Sequence, residues 1–108
     1  MIKTINSLVE FQHDAVLSED LVLVDFYAEW CNPCKHMSGV LDNLLPELEK
    51  TFKVYKVNVD VLPELALEHQ VTTIPTLFVY ELGKCEMIDP DVDTEEWLMQ
   101  SLNKWVNK

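Results

Sequence analysis

Leu21-Val22-Leu23-Val24-Asp25-Phe26-Tyr27-Ala28 is an almost unbroken apolar run. A strand with one wet face alternates apolar and polar residues, whereas a run of this kind reads as a strand buried on both faces. Each face then needs a covering layer, and helices on either side of a sheet supply it. The flanking sequence provides them. Ser7-Leu8-Val9-Glu10 has capping-box spacing, and Leu8, Phe11 and Ala15 share one helical face. A second helix opens at Asn32 with Pro33 in its first turn. Val40, Leu41, Leu44, Leu45 and Leu48 carry its apolar stripe. Gly39 is a weak point in it, and Pro46 is expected to bend or break it.

The remaining elements follow from the same rules. Ile2 to Ile5 reads as a short edge strand, and Val54 to Asp60 as another strand with Lys56 among apolar neighbours. Pro63 to His69 fits a short helix with proline near its start. Thr76 to Tyr80 and Cys85 to Ile88 form a hairpin about Leu82-Gly83-Lys84. Thr94 is an N-cap, with Glu95 and Glu96 where the helix dipole favours acids. Trp97, Leu98, Leu102, Trp105 and Val106 mark the buried face of that last helix, and Lys104 and Lys108 lie near its end. The order is β-α-β-α-β-α-β-β-α, which predicts an α/β fold with a mixed sheet covered on both faces. Residues 1–108 are expected to form one domain, and a chain that is 48% hydrophobic can bury its core without disulfide staples.

Charge narrows the function. The net charge is −11, and every one of the eight basic residues is a lysine. That balance argues against nucleic acid and against an anionic membrane surface. It favours solubility, or steering toward a partner with a basic docking patch. The first residues lack the apolar core of a signal peptide, and no apolar run is long enough to span a membrane. The expectation is a cytoplasmic chain. Three cysteines are too few and too oddly numbered for a secreted disulfide scaffold. Two of them form Cys31-Asn32-Pro33-Cys34, a spacing that in a cytosolic chain means redox chemistry or metal.

Redox chemistry suits the placement better. The thiolate is the attacking species in disulfide exchange, so a useful cysteine needs a lowered pKa. Cys31 falls at a strand-to-helix junction, beside free N–H groups and the positive end of a helix dipole. Cys34, one turn on, can attack a mixed disulfide formed on Cys31 and release the reduced substrate. Cys31 is therefore the candidate nucleophile and Cys34 the candidate resolving thiol. The competing readings are weaker. Zinc would need a second ligand pair, and Cys85, His13, His36 and His69 do not have metal-ligand spacing. Haem attachment would need His where Lys35 stands. No metal and no bound cofactor is expected, since the Cys31–Cys34 disulfide itself carries the electrons. Cys85 reads as a small hydrophobe packed in the hairpin.

At this point the residues resemble a known family. Val24-Asp25-Phe26-Tyr27-Ala28-Glu29-Trp30-Cys31-Asn32-Pro33-Cys34-Lys35 is similar to the active-site segment of the thioredoxins, and Ile74-Pro75-Thr76 to their cis-proline loop. Val57-Asn58-Val59-Asp60 and Leu82-Gly83 fall where that family has its third strand and last hairpin. The resemblance covers the whole chain. It implies the thioredoxin fold, a central mixed five-stranded sheet flanked by four helices, and a monomer that reduces protein disulfides and is recharged by a thioredoxin reductase. It also implies that Asp25 is the buried acid that helps deprotonate the resolving cysteine. Lys56 would be its lysine neighbour, Trp30 the cover of the active-site surface, and Pro75 the cis-proline beside the cysteines. Asn32, Pro33 and Ile74 would line the substrate surface.

Several positions depart from the family pattern. Asn32 replaces the usual glycine between the cysteines, while Pro33 favours the reducing end of the family's range. Tyr27 stands where many members have tryptophan, and its hydroxyl needs a partner. Gly39 stands where a helix-kinking proline is usual. Asp89-Pro90-Asp91-Val92-Asp93 replaces a small uncharged surface close to the cysteines, and reads either as an acidic, more selective substrate groove with Asp91 in it or as a solvated charge cluster capping the last helix. The acidic segment and Asn32 also fit an alternative, a thioredoxin-fold binding subunit dedicated to one partner, with incidental redox activity.

Overall fold

The computed structural model describes residues 2–88, 91 and 93–107. Its elements are β1 (Lys3–Ile5), α1 (Leu8–Phe11, continued by a π-helical turn, Gln12–Val16), β2 (Leu21–Tyr27), α2 (Asn32–Leu48) and β3 (Phe52–Asn58). They continue with α3 (Pro63–Glu68), β4 (Thr76–Glu81), β5 (Lys84–Met87), α4 (Glu95–Ser101) and α5 (Asn103–Val106). The order is the expected one, except that the last helix divides at Leu102, where ψ opens to 0°. There the Trp105 N–H bonds back only three residues, to the Leu102 carbonyl at 3.0 Å.

The five strands lie in the order β1-β3-β2-β4-β5, with β1, β3 and β2 parallel and β4 and β5 antiparallel to their neighbours. β2 sits at the centre, which is why its sequence is apolar on both faces. Val22, Val24 and Phe26 pack with Phe11, Ala15 and Leu65 under α1 and α3. Leu23, Val54, Leu77 and Val79 pack with Met37, Leu41, Leu98 and Leu102 under α2, α4 and α5. β3 starts two residues earlier than expected and stops at Asn58, because its register is set by β2, with Leu21 beside Phe52 and Tyr27 beside Asn58. β4 and β5 are joined by Leu82 and Gly83 with φ of 50° and 84°. Positive φ at both central residues is the turn that matches strand twist; Gly83 adopts it freely, whereas Leu82 does so against its preference.

Several expectations fail for local reasons. Glu10 closes its side of the capping box on the Asn6 N–H at 2.6 Å rather than on Ser7, although Ser7 Oγ accepts the Glu10 N–H at 3.1 Å. Leu8 is exposed, since only Phe11 and Ala15 of this short helix face the sheet. Pro46 does not break α2, which runs on to Leu48. The carbonyl it orphans belongs to exposed Asp42, where water can serve it, and buried Leu48 anchors the last turn. Trp97 is partly exposed, so Leu98, Leu102 and Trp105 alone carry the fully buried face. Cys85 is a free, exposed thiol and not a packed one, because β5 is the edge strand and all four of its residues are exposed. The Thr94 cap forms as expected, its Oγ1 accepting the Trp97 N–H at 3.0 Å, a contact worth about 1 kcal/mol. Lys108, Asp89, Pro90 and Val92 lie outside the described residues.

Candidate active site

Where β2 leaves the sheet, Ala28 is still buried, and the chain turns through Glu29 and Trp30 into Cys31. Cys31 is the N-cap of α2, with extended backbone (φ −89°, ψ 112°). Its sulfur takes the role a serine oxygen plays at most N-caps. Sγ accepts the Cys34 N–H at 3.1 Å. A donor N–H and the positive end of a long helix both stabilise negative charge on that sulfur. Cys31 and Cys34 form a disulfide, with Cα atoms 5.2 Å apart. Cys31 Sγ lies 3.7 Å from the Ile74 carbonyl oxygen, and the Ile74–Pro75 peptide bond is cis. β4 begins at Thr76, so the sheet itself holds this loop against the dithiol.

The two sulfurs have different surroundings. Cys31 lines an open trough of about 610 Å³, together with Trp30, Val59, Ala66, Val71 and Ile74. Asn32 and Pro33 form part of the same trough, both exposed. Cys34 lines instead a small cleft of about 130 Å³ on the other side, with Tyr27, Lys35, Ser38 and Lys56. Trp30 is 69% exposed, and its Nε1–H donates to Asp60 Oδ2 at 2.9 Å. That bond fixes the indole as a wall beside Cys31 without burying it.

Asp25 is completely buried, on the same face of β2 as Leu23, beneath α2. Neither of its carboxylate oxygens has a hydrogen-bond partner among the described residues. Burial pushes its pKa up from 3.8 to about 7, and the nearby Lys56 charge offsets part of that rise. Lys56 is its direct neighbour in β3. The Lys56 ammonium sits 4.4 Å from the centre of the Tyr27 ring, a cation–π contact that keeps it at the mouth of the small cleft. Cys31, Trp30, Asn32, Pro33 and Ile74 therefore line the large trough and Pro75 the one beside it, Cys34 and Lys56 line the small cleft, and Asp25 lies buried next to Lys56. Asp91 lines a second trough that adjoins the first.

The sequence reading missed Asp60 and His36. Asp60 follows β3 at the same end of the parallel strands from which Cys31 emerges, and that shared end was the available signal. His36 lies in the first turns of α2 and donates from Nε2 to the Asp93 carbonyl at 2.6 Å, a contact between distant segments that no spacing rule reveals. Among the described residues no cluster of three metal-ligating side chains occurs, and no helix is long and apolar enough to cross a membrane.

A helix-capping dithiol on the central strand of a mixed sheet, beside a cis-proline loop, defines a protein-disulfide oxidoreductase. Residues 4–107 match the thioredoxin family model. A thioredoxin of Rickettsia felis is 41% identical over 96 residues, 86% of each chain. A bifunctional thioredoxin reductase/thioredoxin of Mycobacterium leprae is 42% identical over 74 residues, 68% of this chain and 16% of that protein. The crystal structure of Malassezia sympodialis thioredoxin (Mala s 13) superposes with a TM-score of 0.83 at 25% identity, over 98% of this chain and 91% of that one. The chain belongs to the thioredoxin family: it is a thiol–disulfide oxidoreductase whose redox-active disulfide is its CxxC pair.

Proposed function

We propose that the chain is a cytoplasmic, monomeric electron donor to protein disulfides, in which Cys31 attacks and Cys34 resolves. The observation that carries this division is the placement of the two sulfurs, Cys31 on the large open trough and Cys34 on a separate cleft of about 130 Å³. In the reduced protein the Cys31 thiolate attacks a substrate disulfide, joins one substrate sulfur and expels the other as a thiolate. Asp25, poised near neutral pH, takes the proton of Cys34. The Cys34 thiolate then attacks Cys31 Sγ, the second substrate sulfur leaves, and the Cys31–Cys34 disulfide forms. Two electrons pass to the substrate, whose sulfurs both end as thiols. Lys56 holds the charge balance around Asp25. Trp30, Asn32, Pro33, Ile74 and Pro75 receive the substrate chain. A thioredoxin reductase would restore the dithiol. The Mycobacterium leprae relative, whose name couples the two activities, supports that pairing.

Cys34→Ser tests the division of labour. The variant is expected to hold a disulfide substrate as a stable covalent adduct at Cys31, mapped by mass spectrometry after tryptic digestion. Rapid release of the adduct, at the wild-type rate, would refute the resolving role.

A further inference from the structure

Two troughs meet at Pro33, Thr73 and Ile74, beside Cys31. The first, floored by Val59, Ala66 and Val71, is apolar. The second, of about 550 Å³, is lined by Asp91 and Asp93 together with His36 and Pro75. Pro33, Thr73 and Ile74 line both, so the two are halves of one channel that passes over Cys31. His36 bonds the Asp93 carbonyl, which ties Asp93 to α2 beside the channel. Among the described residues no lysine lines either half. Lys35 lines the small cleft with Cys34 instead.

A substrate segment must lie along this channel to bring its sulfur to Cys31. We propose that the channel selects substrates by the two flanks of their cysteine: an apolar residue on one side, seated over Val59, Ala66 and Val71, and a lysine or arginine on the other, facing Asp91 and Asp93. The proposal rests on the reading of Cys31 as the attacking thiol, and it adds the class of substrate. Its physical basis is ordinary. Apolar burial contributes affinity on the first side, and charge complementarity at short range contributes rate and selectivity on the second. A substrate with an acidic flank would place like charges together beside Asp91 and Asp93, which is selection by repulsion.

The test uses the full chain, fully reduced and freed of reductant, against symmetrical peptide disulfides. One peptide carries Leu and Lys on the two sides of its cysteine, a second Leu and Glu, a third Ser and Lys. Each is made in both chain directions, and the oxidation of the protein is followed in time. The Leu/Lys peptide is expected to react about tenfold faster than the Leu/Glu peptide at low salt, the ratio narrowing as salt screens the carboxylates. It should also exceed the Ser/Lys peptide several-fold. D91N/D93N is expected to collapse the Lys-over-Glu ratio to within about twofold. E19Q/D42N removes the same charge from exposed positions outside both troughs and should keep the ratio, which separates the local wall from the acidity of the whole molecule. Equal rates for Lys and Glu flanks, equal rates for Leu and Ser flanks, or a ratio that survives D91N/D93N, would overturn the proposal while leaving peptide reduction intact. Failure of every peptide to react would instead overturn the underlying reading of Cys31.

Discussion

Cys31→Ser is expected to abolish disulfide reduction, lowering turnover by more than about a thousandfold. The reason is chemical and not structural. A hydroxyl at this position is un-ionised at neutral pH and cannot form the mixed disulfide through which both electrons pass. Serine is among the best N-cap residues, and its oxygen can accept the Cys34 N–H that Sγ accepts now. The reduced variant should therefore unfold at close to the temperature of reduced wild type. Loss of activity with an unchanged unfolding transition, read by circular dichroism, is the expected pair of results. Activity above about one-tenth of wild type would mean that Cys34 can attack unaided, which its place on the small cleft speaks against.

The second large effect concerns Asp25. Its carboxyl holds its proton to about pH 7 in the folded protein, against 3.8 ordinarily. Below about pH 4 it is protonated in both folded and unfolded chains, and contributes no pH dependence. Between about pH 4 and 7 the unfolded chain has already given up a proton that the folded one keeps, so stability falls as pH rises. Above about pH 7 the folded state bears the full cost of a buried charge with no hydrogen-bond partner, about 4 kcal/mol. Asp25→Asn is expected to remove that cost. Its stability by urea unfolding should differ little from wild type at pH 4 and exceed it by several kcal/mol at pH 8.5. The same variant should reduce disulfides more slowly, with the loss in the release of the mixed disulfide, because no carboxylate remains to take the Cys34 proton. A stability difference that does not change with pH would show that Asp25 titrates normally. If Asp25 takes the Cys34 proton as proposed, one residue trades stability for function.

Much of this architecture was legible in the sequence because its signals are local and redundant. The apolar run of β2 demanded two covered faces, and the two hydrophobic layers meet that demand. Cys31 at a strand-to-helix junction and Thr94 as a cap follow from backbone N–H groups that need partners, and both caps form. The failures are tertiary. Nothing in the periodicity says that β5 is an edge strand, so the pattern alone points Cys85 inward although it is exposed. Nothing in the rule for proline knows that the carbonyl Pro46 orphans faces water. Trp97 fits the helical stripe, yet the split at Leu102 and the short length of α4 leave it at the margin. In the site, the cysteines were readable from spacing alone, whereas Asp25, Lys56 and Pro75 needed the family resemblance. The contacts of His36 with Asp93 and of Trp30 with Asp60 join segments far apart in sequence, and only the fold brings them together.

The central claim is that Cys31 and Cys34 cycle as an electron-donating pair, and equilibrium with glutathione tests it most directly. The protein would be incubated in buffers of graded reduced-to-oxidised glutathione ratio, quenched in acid, and the two redox states separated by chromatography. The pair is expected to stay a disulfide until reduced glutathione is in very large excess, the behaviour of a couple more reducing than glutathione. A pair half-reduced by dilute glutathione in the presence of much oxidised glutathione, or one that does not exchange at all, would contradict it.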